Sequence, residues 1–193
     1  MGERPKLILA SQSPRRSALL ARIGIIPDLI SPADINEDII QGELPRDYVS
    51  RLACEKATKI SGDFPNHVVL AADTAVAIGR RILPKAETIA DAKYCLQLIS
   101  GRNHRVFTCI AVVKSNGEIL KRVVETRLKM KRLSEAEFKD YIHSQEWQGK
   151  AGGYSIQGSA ESFVIKIVGS YSNVVGLPLY ETRNMLRGSG YIL

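Results

Sequence analysis

Two arginines follow the predicted start of the first helix. Ser11 and Ser13 precede Pro14, Arg15 and Arg16, and a serine followed by proline is typical of an N-cap and a first helical turn. Cations at a helix N-terminus are unfavourable by about 0.3 to 1 kcal/mol each, because that end of the helix dipole is positive. A bound phosphate would make the two arginines favourable at this position, because its negative charge attracts them. The segment therefore predicts a phosphate site, with two solvated surface arginines as the alternative.

A lysine lies on the apolar stripe of the second predicted helix, residues 45–61. Lys56 continues the helical spacing of the apolar residues Val49, Leu52, Ala53 and Ile60. This stripe should face inward. The ammonium group must then either reach past the core to solvent or meet an anion in a cleft.

An aspartate follows the most apolar predicted strand, residues 68–72. We expect Asp73 at the carboxyl end of this strand, where open α/β sheets place ligand groups. A carboxylate there suits a metal ligand or a general base, whereas a turn shared with Thr74 is the alternative. Lys85 follows on the next segment and is unremarkable alone. An acidic cluster on a predicted loop contains Asp34, Glu37 and Asp38. These carboxylates either supply further oxygen ligands or are simply solvated.

A glycine-rich segment spans residues 149–158. It does not match the Walker pattern, and the sequence contains neither Gly-x-Gly-x-x-Gly nor Gly-x-Ser-x-Gly, which argues against kinase, dinucleotide-dependent and α/β-hydrolase chemistry. Such a loop brings the backbone close to a flat ligand. The amide of Gln157 could then read the edge of a base.

The composition narrows the class of protein. The 193 residues are 45% hydrophobic and 24% charged, as in ordinary globular domains, and the length predicts one domain. No apolar run could span a bilayer, and the segment from Met1 leads into an apolar stretch too short for a signal peptide, so we expect a soluble, unexported protein.

The net charge of +7 suggests an anionic partner. Basic residues at 127, 129 and 131 alternate with apolar ones, as in a strand with one solvent face, and lack the interleaved aromatics of a nucleic-acid platform.

Cysteine and histidine spacing argues against soft metal sites. Without a Cys-x-x-Cys pair, the cysteines are predicted to be buried thiols in a reducing cytosol. The histidines lack a metal-binding spacing, so any metal should have oxygen ligands. The residues concerned are Cys54, Cys95, Cys109, His67, His104 and His143.

Periodicity and turn signals predict a mixed α/β chain. Predicted strands cover residues 6–10, 68–72, 107–114, 119–133 and 163–168. Predicted helices cover 14–23, 45–61, 88–99, 134–144 and a last helix that begins at Pro178. The turn Asn116-Gly117 predicts a hairpin between two of the strands.

Taken together, these segments resemble the Maf family of nucleoside triphosphate pyrophosphatases, also called septum formation inhibitor proteins. Residues 9–16 resemble the opening Ala-Ser-x-Ser-Pro-Arg-Arg of the family, residues 51–57 its lysine helix, and residues 72–74 its catalytic Asp-Thr. Further family motifs follow in order at 100–104, 150–158, 169–171 and 175–178. Several ordered motifs over most of a chain are far more specific than any one of them.

The resemblance implies hydrolysis of a nucleoside triphosphate between its α- and β-phosphates, with Mg²⁺ or Mn²⁺ as cofactor. It implies that Asp73 is the proton acceptor and that Asp73 and Glu37 hold the metal. It also implies a set of side chains that contact the triphosphate: Ser11, Arg15, Arg16, Lys56 and Lys85. Two departures concern this set, since Lys85 is followed by Ala86 where the family usually has proline, and the loop that holds Glu37 is one residue longer than in close relatives.

Three positions resemble the dTTP/UTP branch of the family. These are Arg15, Thr74 and Gln157, where the branch acting on 7-methyl-GTP carries Trp, Gln and Glu. An amide can pair with the imide edge of thymine or uracil, whereas a carboxylate suits the donors of a methylated guanine. The alternatives are a 7-methyl-GTP pyrophosphatase and a noncatalytic nucleotide-binding regulator of septum formation.

The resemblance also implies the architecture. We expect residues 1–193 to form a single domain with a mixed, twisted sheet, flanking helices and two lobes around a central cleft, similar to inosine triphosphate pyrophosphatases. Homodimers are common in the family. We expect a cytoplasmic protein whose partner is the nucleotide, without nucleic-acid or membrane partners.

Overall fold

The structure, a computed structural model, describes residues 5–191. The start of the segment used to judge export, residues 1–4, lies outside this range. The strands are β1 (Leu7–Leu9), β2 (Leu29–Ile30), β3 (Val68–Ile78), β4 (Arg81–Leu83), β5 (Lys85–Ala86), β6 (Asn103–Val113), β7 (Ile119–Met130), β8 (Lys150–Ala151) and β9 (Val164–Val168). The helices are α1 (Pro14–Arg22), α2 (Pro45–Asp63), α3 (Ile89–Ile99), α4 (Glu135–Ser144), α5 (Tyr171–Val175) and α6 (Leu179–Gly188), with a 3₁₀ helix at Ser159–Phe163.

A twisted mixed sheet forms the centre of the molecule. Its strand order within residues 5–191 is β2-β1-β3-β6-β7-β9, with β4 paired to β3. Strand β1 is parallel to β2 and β3, and the other pairings are antiparallel. A separate antiparallel ribbon joins β5 to β8. The mixed sheet with flanking helices that the sequence predicts is therefore confirmed.

Hydrophobic cores cover both faces of the central strands. Even-numbered residues of β3 such as Leu70 face one core, and odd-numbered residues such as Val69 face the other. Burial on both faces explains the continuous apolar run that predicts this strand. Helix α2 packs on the second face through Val49, Ala53 and Ala57, where the two alanines allow a close approach to the sheet.

Several predicted boundaries were wrong. Strand β3 continues to Ile78, so Asp73 lies in its middle and not at its carboxyl end. Pairing with β6 from Val69 to Ala77 carries the strand past the charged residue. The hairpin prediction is confirmed, but β6 begins at Asn103 and β7 ends at Met130.

Near the C-terminus, local capping departs from the predictions. Pro178 is the N-cap of α6 and lies just before its first residue. A short preceding helix, α5, was not predicted, because five residues give too little periodicity. Phe163 ends the 3₁₀ helix, and β9 starts one residue later.

The cysteine prediction is only partly correct. Cys95 and Cys109 are buried, but Cys54 is half-buried on α2. All three are free thiols. No helix in the described range is long and apolar enough to cross a membrane.

Candidate active site

A cleft of about 370 Å³ lies where the central sheet meets the β5–β8 ribbon. Its walls come from the start of α1, the middle of β3, the ribbon, the glycine-rich loop and the end of α5. Every site residue that the family resemblance implies lines it: Ser11, Arg15, Arg16, Glu37, Lys56, Asp73, Thr74, Lys85 and Gln157. The other candidate oxygen ligands, Asp34 and Asp38, are not among its lining residues. The site that the sequence predicts is therefore assembled in one place.

Lys56 joins the two carboxylates of the cleft. Its Nζ lies 2.6 Å from Oδ1 of Asp73 and 2.6 Å from Oε1 of Glu37. Lys56 is 7% exposed and Asp73 is 5% exposed. Of the two outcomes that the helical stripe left open, the ammonium therefore meets anions in a cleft, and these anions belong to the protein.

The two carboxylates have opposite pKa shifts. Burial raises the pKa of Asp73, and the nearby Lys56 and Arg16 oppose this effect only partly. Burial would also raise the pKa of Glu37, but hydrogen bonds from Lys56 and Lys85 outweigh it and lower that pKa to about 2. Glu37 is therefore the fixed anion of the pair, whereas Asp73 is the stronger base. Such divergence is typical of a site with assigned acid–base roles.

Asp73 keeps one oxygen free. Its Oδ1 accepts the hydrogen bond from Lys56, while Oδ2 has no hydrogen-bond partner within residues 5–191. Because Asp73 lines the cleft, this oxygen is available to a water molecule or a cation.

The loop that carries Glu37 is held to α2 and to the ribbon. Tyr48 donates to the backbone oxygen of Glu37 at 3.0 Å. Arg51 donates to the carboxylate of Glu43 and to the backbone oxygen of Asp38. Lys85 Nζ lies 2.5 Å from Oε2 of Glu37. Contacts with two elements thus fix the carboxylate of Glu37, although its loop has no regular secondary structure.

Arg16 is held by three neighbours. Its Nε donates to the backbone oxygen of Gly176 at 2.9 Å, Nη1 to Oγ of Ser11 at 2.9 Å, and Nη2 to Oγ1 of Thr74 at 3.4 Å. Gly176 has a φ of +121°, a conformation that favours glycine. Burial lowers the pKa of Arg16, while Asp73 opposes that effect.

Two further polar groups, from Thr108 and Asn173, support Thr74 from behind. Its Oγ1 lies 3.0 Å from Oγ1 of Thr108, and Thr108 donates to the backbone oxygen of Asn173 at 3.0 Å. A hydroxyl has one proton, so Thr108 must accept the proton of Thr74. The oxygen of Thr74 is then an acceptor toward Arg16. We call this chain from Arg16 to Asn173 the hydroxyl relay.

Arg15 differs from Arg16 in having no partner. No hydrogen bond or ion pair links its side chain to another described residue, and burial lowers its pKa. The predicted N-cap Ser13 likewise makes no side-chain cap hydrogen bond. Instead, Oγ of Ser11 accepts from the backbone N–H of Ser13 at 3.2 Å. The start of α1 therefore offers an unpaired guanidinium and free hydroxyl protons to an anion.

The glycine-rich loop is fixed by buried rings and leaves Gln157 free. Tyr154 Oη lies 2.8 Å from Nε2 of His104, and burial lowers the pKa of His104 to about 4. Tyr141 Oη accepts from the backbone N–H of Ser155. A Cβ on Gly152 would lie 2.8 Å from Val76, so the loop packs closely on β3. Gln157 is exposed at the cleft and has no side-chain partner in the described range.

Sequence reasoning missed the residues that support this site. Tyr48, Thr108, Asn173 and Gly176 position the predicted side chains through contacts distant in sequence, which no local pattern reports. Lys150 also lines the cleft, and its position in the glycine-rich segment was the signal that could have identified it.

The chain is similar to known proteins over nearly its full length. The family model described as Maf-like protein matches residues 6–189. A dTTP/UTP pyrophosphatase of Rhodopseudomonas palustris (strain HaA2) is 55% identical, covering 97% of this chain and 94% of that protein. A dTTP/UTP pyrophosphatase of Caulobacter vibrioides is 54% identical and covers 99% of both chains. A solved HAM1 protein from Coxiella burnetii is 17% identical, with a TM-score of 0.51 over 95% of this chain and 99% of that one, and shows the shared fold.

Proposed function

The chain belongs to the Maf family, and on this premise we propose that it hydrolyses dTTP and UTP to the nucleoside monophosphate and pyrophosphate. The observation that carries the proposal is the buried carboxylate of Asp73, held by Lys56 in a cleft whose other cations face the same space. A protein that only binds nucleotides needs cations but no base beside the phosphates. The relatives named dTTP/UTP pyrophosphatase support the same reading over nearly the full chain.

Asp73 acts as the general base in this proposal. Its free Oδ2 accepts a proton from water as the water oxygen bonds to a phosphorus beside the α–β bridging oxygen. The bond from that phosphorus to the bridging oxygen breaks, the bridging oxygen stays on the other phosphorus, and nucleoside monophosphate and pyrophosphate separate. Burial raises the pKa of Asp73, which strengthens it as a base. Lys56 keeps Oδ1 fixed so that Oδ2 faces the cleft.

The cations of the cleft bind the phosphates. Arg15 has no protein partner and is free to make bidentate contacts with phosphate oxygens. Lys85 is 51% exposed at its side chain and can turn from Glu37 to the substrate. Arg16 is oriented by the hydroxyl relay and donates charge-assisted hydrogen bonds to the phosphate oxygens. Ser11 keeps its hydroxyl proton to donate to the same group.

The carboxylates suit a hard divalent cation. No group of three His, Cys, Asp or Glu side chains suited to a metal occurs within residues 5–191. Mg²⁺, however, is commonly held by one or two carboxylates together with substrate phosphates. Asp73 and Glu37 contact the same ammonium, so the two carboxylates are neighbours in the cleft and are the residues that would hold such a cation. When bound, Mg²⁺ or Mn²⁺ would neutralise phosphate charge.

Three residues select a pyrimidine base. The free amide of Gln157 offers one donor and one acceptor to the imide edge of thymine or uracil. Thr74 offers no donor to the base, because its only proton is committed to Thr108. Arg15 contacts the nucleotide from the start of α1.

A cytoplasmic protein is consistent with this chemistry. Nucleoside triphosphates are cytoplasmic metabolites, and the three cysteines are free, as expected in a reducing compartment. We further propose a homodimer, by analogy with the family, and no nucleic-acid or membrane partner in the catalytic reaction.

A substrate panel tests the proposed function. The protein is incubated with dTTP, UTP, CTP, GTP and 7-methyl-GTP, each with Mg²⁺ or Mn²⁺, and pyrophosphate is separated from orthophosphate. We expect pyrophosphate from dTTP and UTP alone. Turnover of 7-methyl-GTP alone would show that the protein selects a methylated guanine and not a pyrimidine. Tight nucleotide binding without turnover would support a noncatalytic regulator.

A further inference from the structure

The exposed face of the sheet carries cations that lie directly opposite one another. Arg105 on β6 is the register partner of Arg127 on β7, and Lys129 on β7 is the partner of Lys166 on β9. Register partners point to the same face, with Cβ atoms about 5 Å apart. Like charges in this arrangement destabilise a sheet. The protein nevertheless holds two such pairs side by side.

Carboxylates compensate this charge only in part. Oε1 of Glu125 lies 2.9 Å from Nε of Arg127 and 3.7 Å from Nε of Arg105. Neither Lys129 nor Lys166 has a side-chain hydrogen bond or ion pair within residues 5–191. All four cations are exposed. Among the described residues, these four cations are therefore paired with one carboxylate, that of Glu125.

The four cations line a recess of about 370 Å³. This recess shares no lining residue with the catalytic cleft. Along β6, Arg105 is four residues from Cys109, the register partner of Asp73, which corresponds to about 13 Å of strand. A molecule in the recess would therefore not occupy the position of Asp73.

We propose that the recess binds an oligophosphate anion, such as inorganic pyrophosphate or tripolyphosphate. The arginine and lysine pairs are two residues apart along β7, or about 7 Å. A chain of linked phosphates can contact both pairs, whereas a single phosphate can contact one. Lysine and arginine bind phosphate oxygens through charge-assisted hydrogen bonds. A bound anion attracts both cations of a pair and so offsets their mutual repulsion.

The lining favours phosphate over a nucleic-acid strand. Among the described residues of the recess, His104 carries the one aromatic ring. That ring is 1% exposed and bonded to Tyr154, so it cannot stack on a base. Single-stranded nucleic acids are held largely by such stacking. The recess therefore offers positive charge to phosphates without an exposed aromatic platform for bases.

A titration with tripolyphosphate in metal-free buffer tests the site directly. Backbone amide signals of Lys129 and Lys166 are followed in isotope-labelled wild type, in Lys166→Glu and in Lys93→Glu. Lys93 is exposed on α3 outside the recess and matches the charge change. We expect saturable shifts in wild type and in Lys93→Glu, and affinity at the recess weaker by at least about tenfold in Lys166→Glu.

Thermal unfolding supplies a second readout. Lys166→Glu places opposite charges across from each other, so its Tm should equal or exceed that of wild type even though it loses the anion. Lys129→Gln gives an independent variant. Shifts confined to cleft amides such as that of Gly176, equal weakening in Lys93→Glu, or tighter binding of an oligonucleotide at the recess would overturn the proposal. None of these outcomes depends on turnover, so failure here is distinct from failure of the proposed function.

Discussion

Nζ of Lys56 lies 2.6 Å from Oδ1 of Asp73, and the same ammonium lies 2.6 Å from Oε1 of Glu37. One buried cation thus fixes two carboxylates that come from a strand and from an irregular loop. Removing either partner of such a buried pair leaves an uncompensated charge. This triad connects the stability of the protein with the position of Asp73, the proposed base.

The first prediction concerns stability. Lys56→Met should lower the free energy of unfolding by about 3 kcal/mol, because it leaves Asp73 buried without its counter-ion. This corresponds to a fall in Tm of roughly 6 to 12 °C. The double variant Lys56→Met/Asp73→Asn should recover much of the loss. Arg46→Met, an exposed substitution on the same helix, should change stability by less than about 0.5 kcal/mol, and a similar loss there would contradict the role of the triad.

The hydroxyl relay gives a second prediction. Thr108→Val removes the acceptor of Thr74, so Arg16 loses its orientation and KM for dTTP should rise by roughly tenfold, with a smaller effect on kcat. Thr108→Ser keeps the hydroxyl and should restore KM. The control is Thr182→Val, which removes another buried hydroxyl bond on α6. If Thr182→Val raises KM equally, the effect is a general loss of stability and the relay has no role.

Base selection is tested at Gln157. Replacing the amide by a carboxylate removes the donor that faces the pyrimidine, so in Gln157→Glu the kcat/KM for dTTP and UTP should fall by at least about tenfold. Activity toward 7-methyl-GTP should rise. Gln148→Glu makes the same change on an exposed residue outside the cleft and should leave selectivity unchanged. If Gln157→Glu keeps the wild-type preference for dTTP and UTP, Gln157 has no role in base recognition.

The pH profile reports the state of Asp73. Its pKa is raised above the ordinary 3.8, chiefly by burial, and the base must be ionised to accept a proton. Activity should therefore fall as pH decreases through this raised pKa. Lys56 lowers the pKa of Asp73, so in Lys56→Gln the acidic limb of kcat/KM should move to higher pH. An acidic limb that stays in place, or moves to lower pH, would contradict the assignment of Asp73 as the general base.

The sequence identifies most of the reactive side chains because their signals are local. Pro14 and the arginines mark a helix start, and the stripe on α2 shows that Lys56 faces inward. Every residue assigned to the site by resemblance lines the cleft. Local spacing and a family motif are therefore sufficient to name the side chains that line the cleft.

The arrangement of those groups depends on contacts that local patterns do not contain. Asp73 lies within β3 because β6 continues to pair with the strand beyond it, whereas a charged residue after an apolar run reads as a strand end. The relay links residues from β3, β6 and α5. Short elements such as the β5–β8 ribbon hold only two residues per strand, too few for any periodicity.

The most direct test compares pyrophosphate release from dTTP by wild type and Asp73→Asn, with nucleotide binding and Tm measured on both. Asparagine preserves the shape of the side chain but cannot accept the proton, so kcat should fall by about 100- to 10,000-fold while the nucleotide still binds and the protein stays folded. Full activity in a folded Asp73→Asn variant would contradict the account, because the reaction would then proceed without the carboxylate that Lys56 holds.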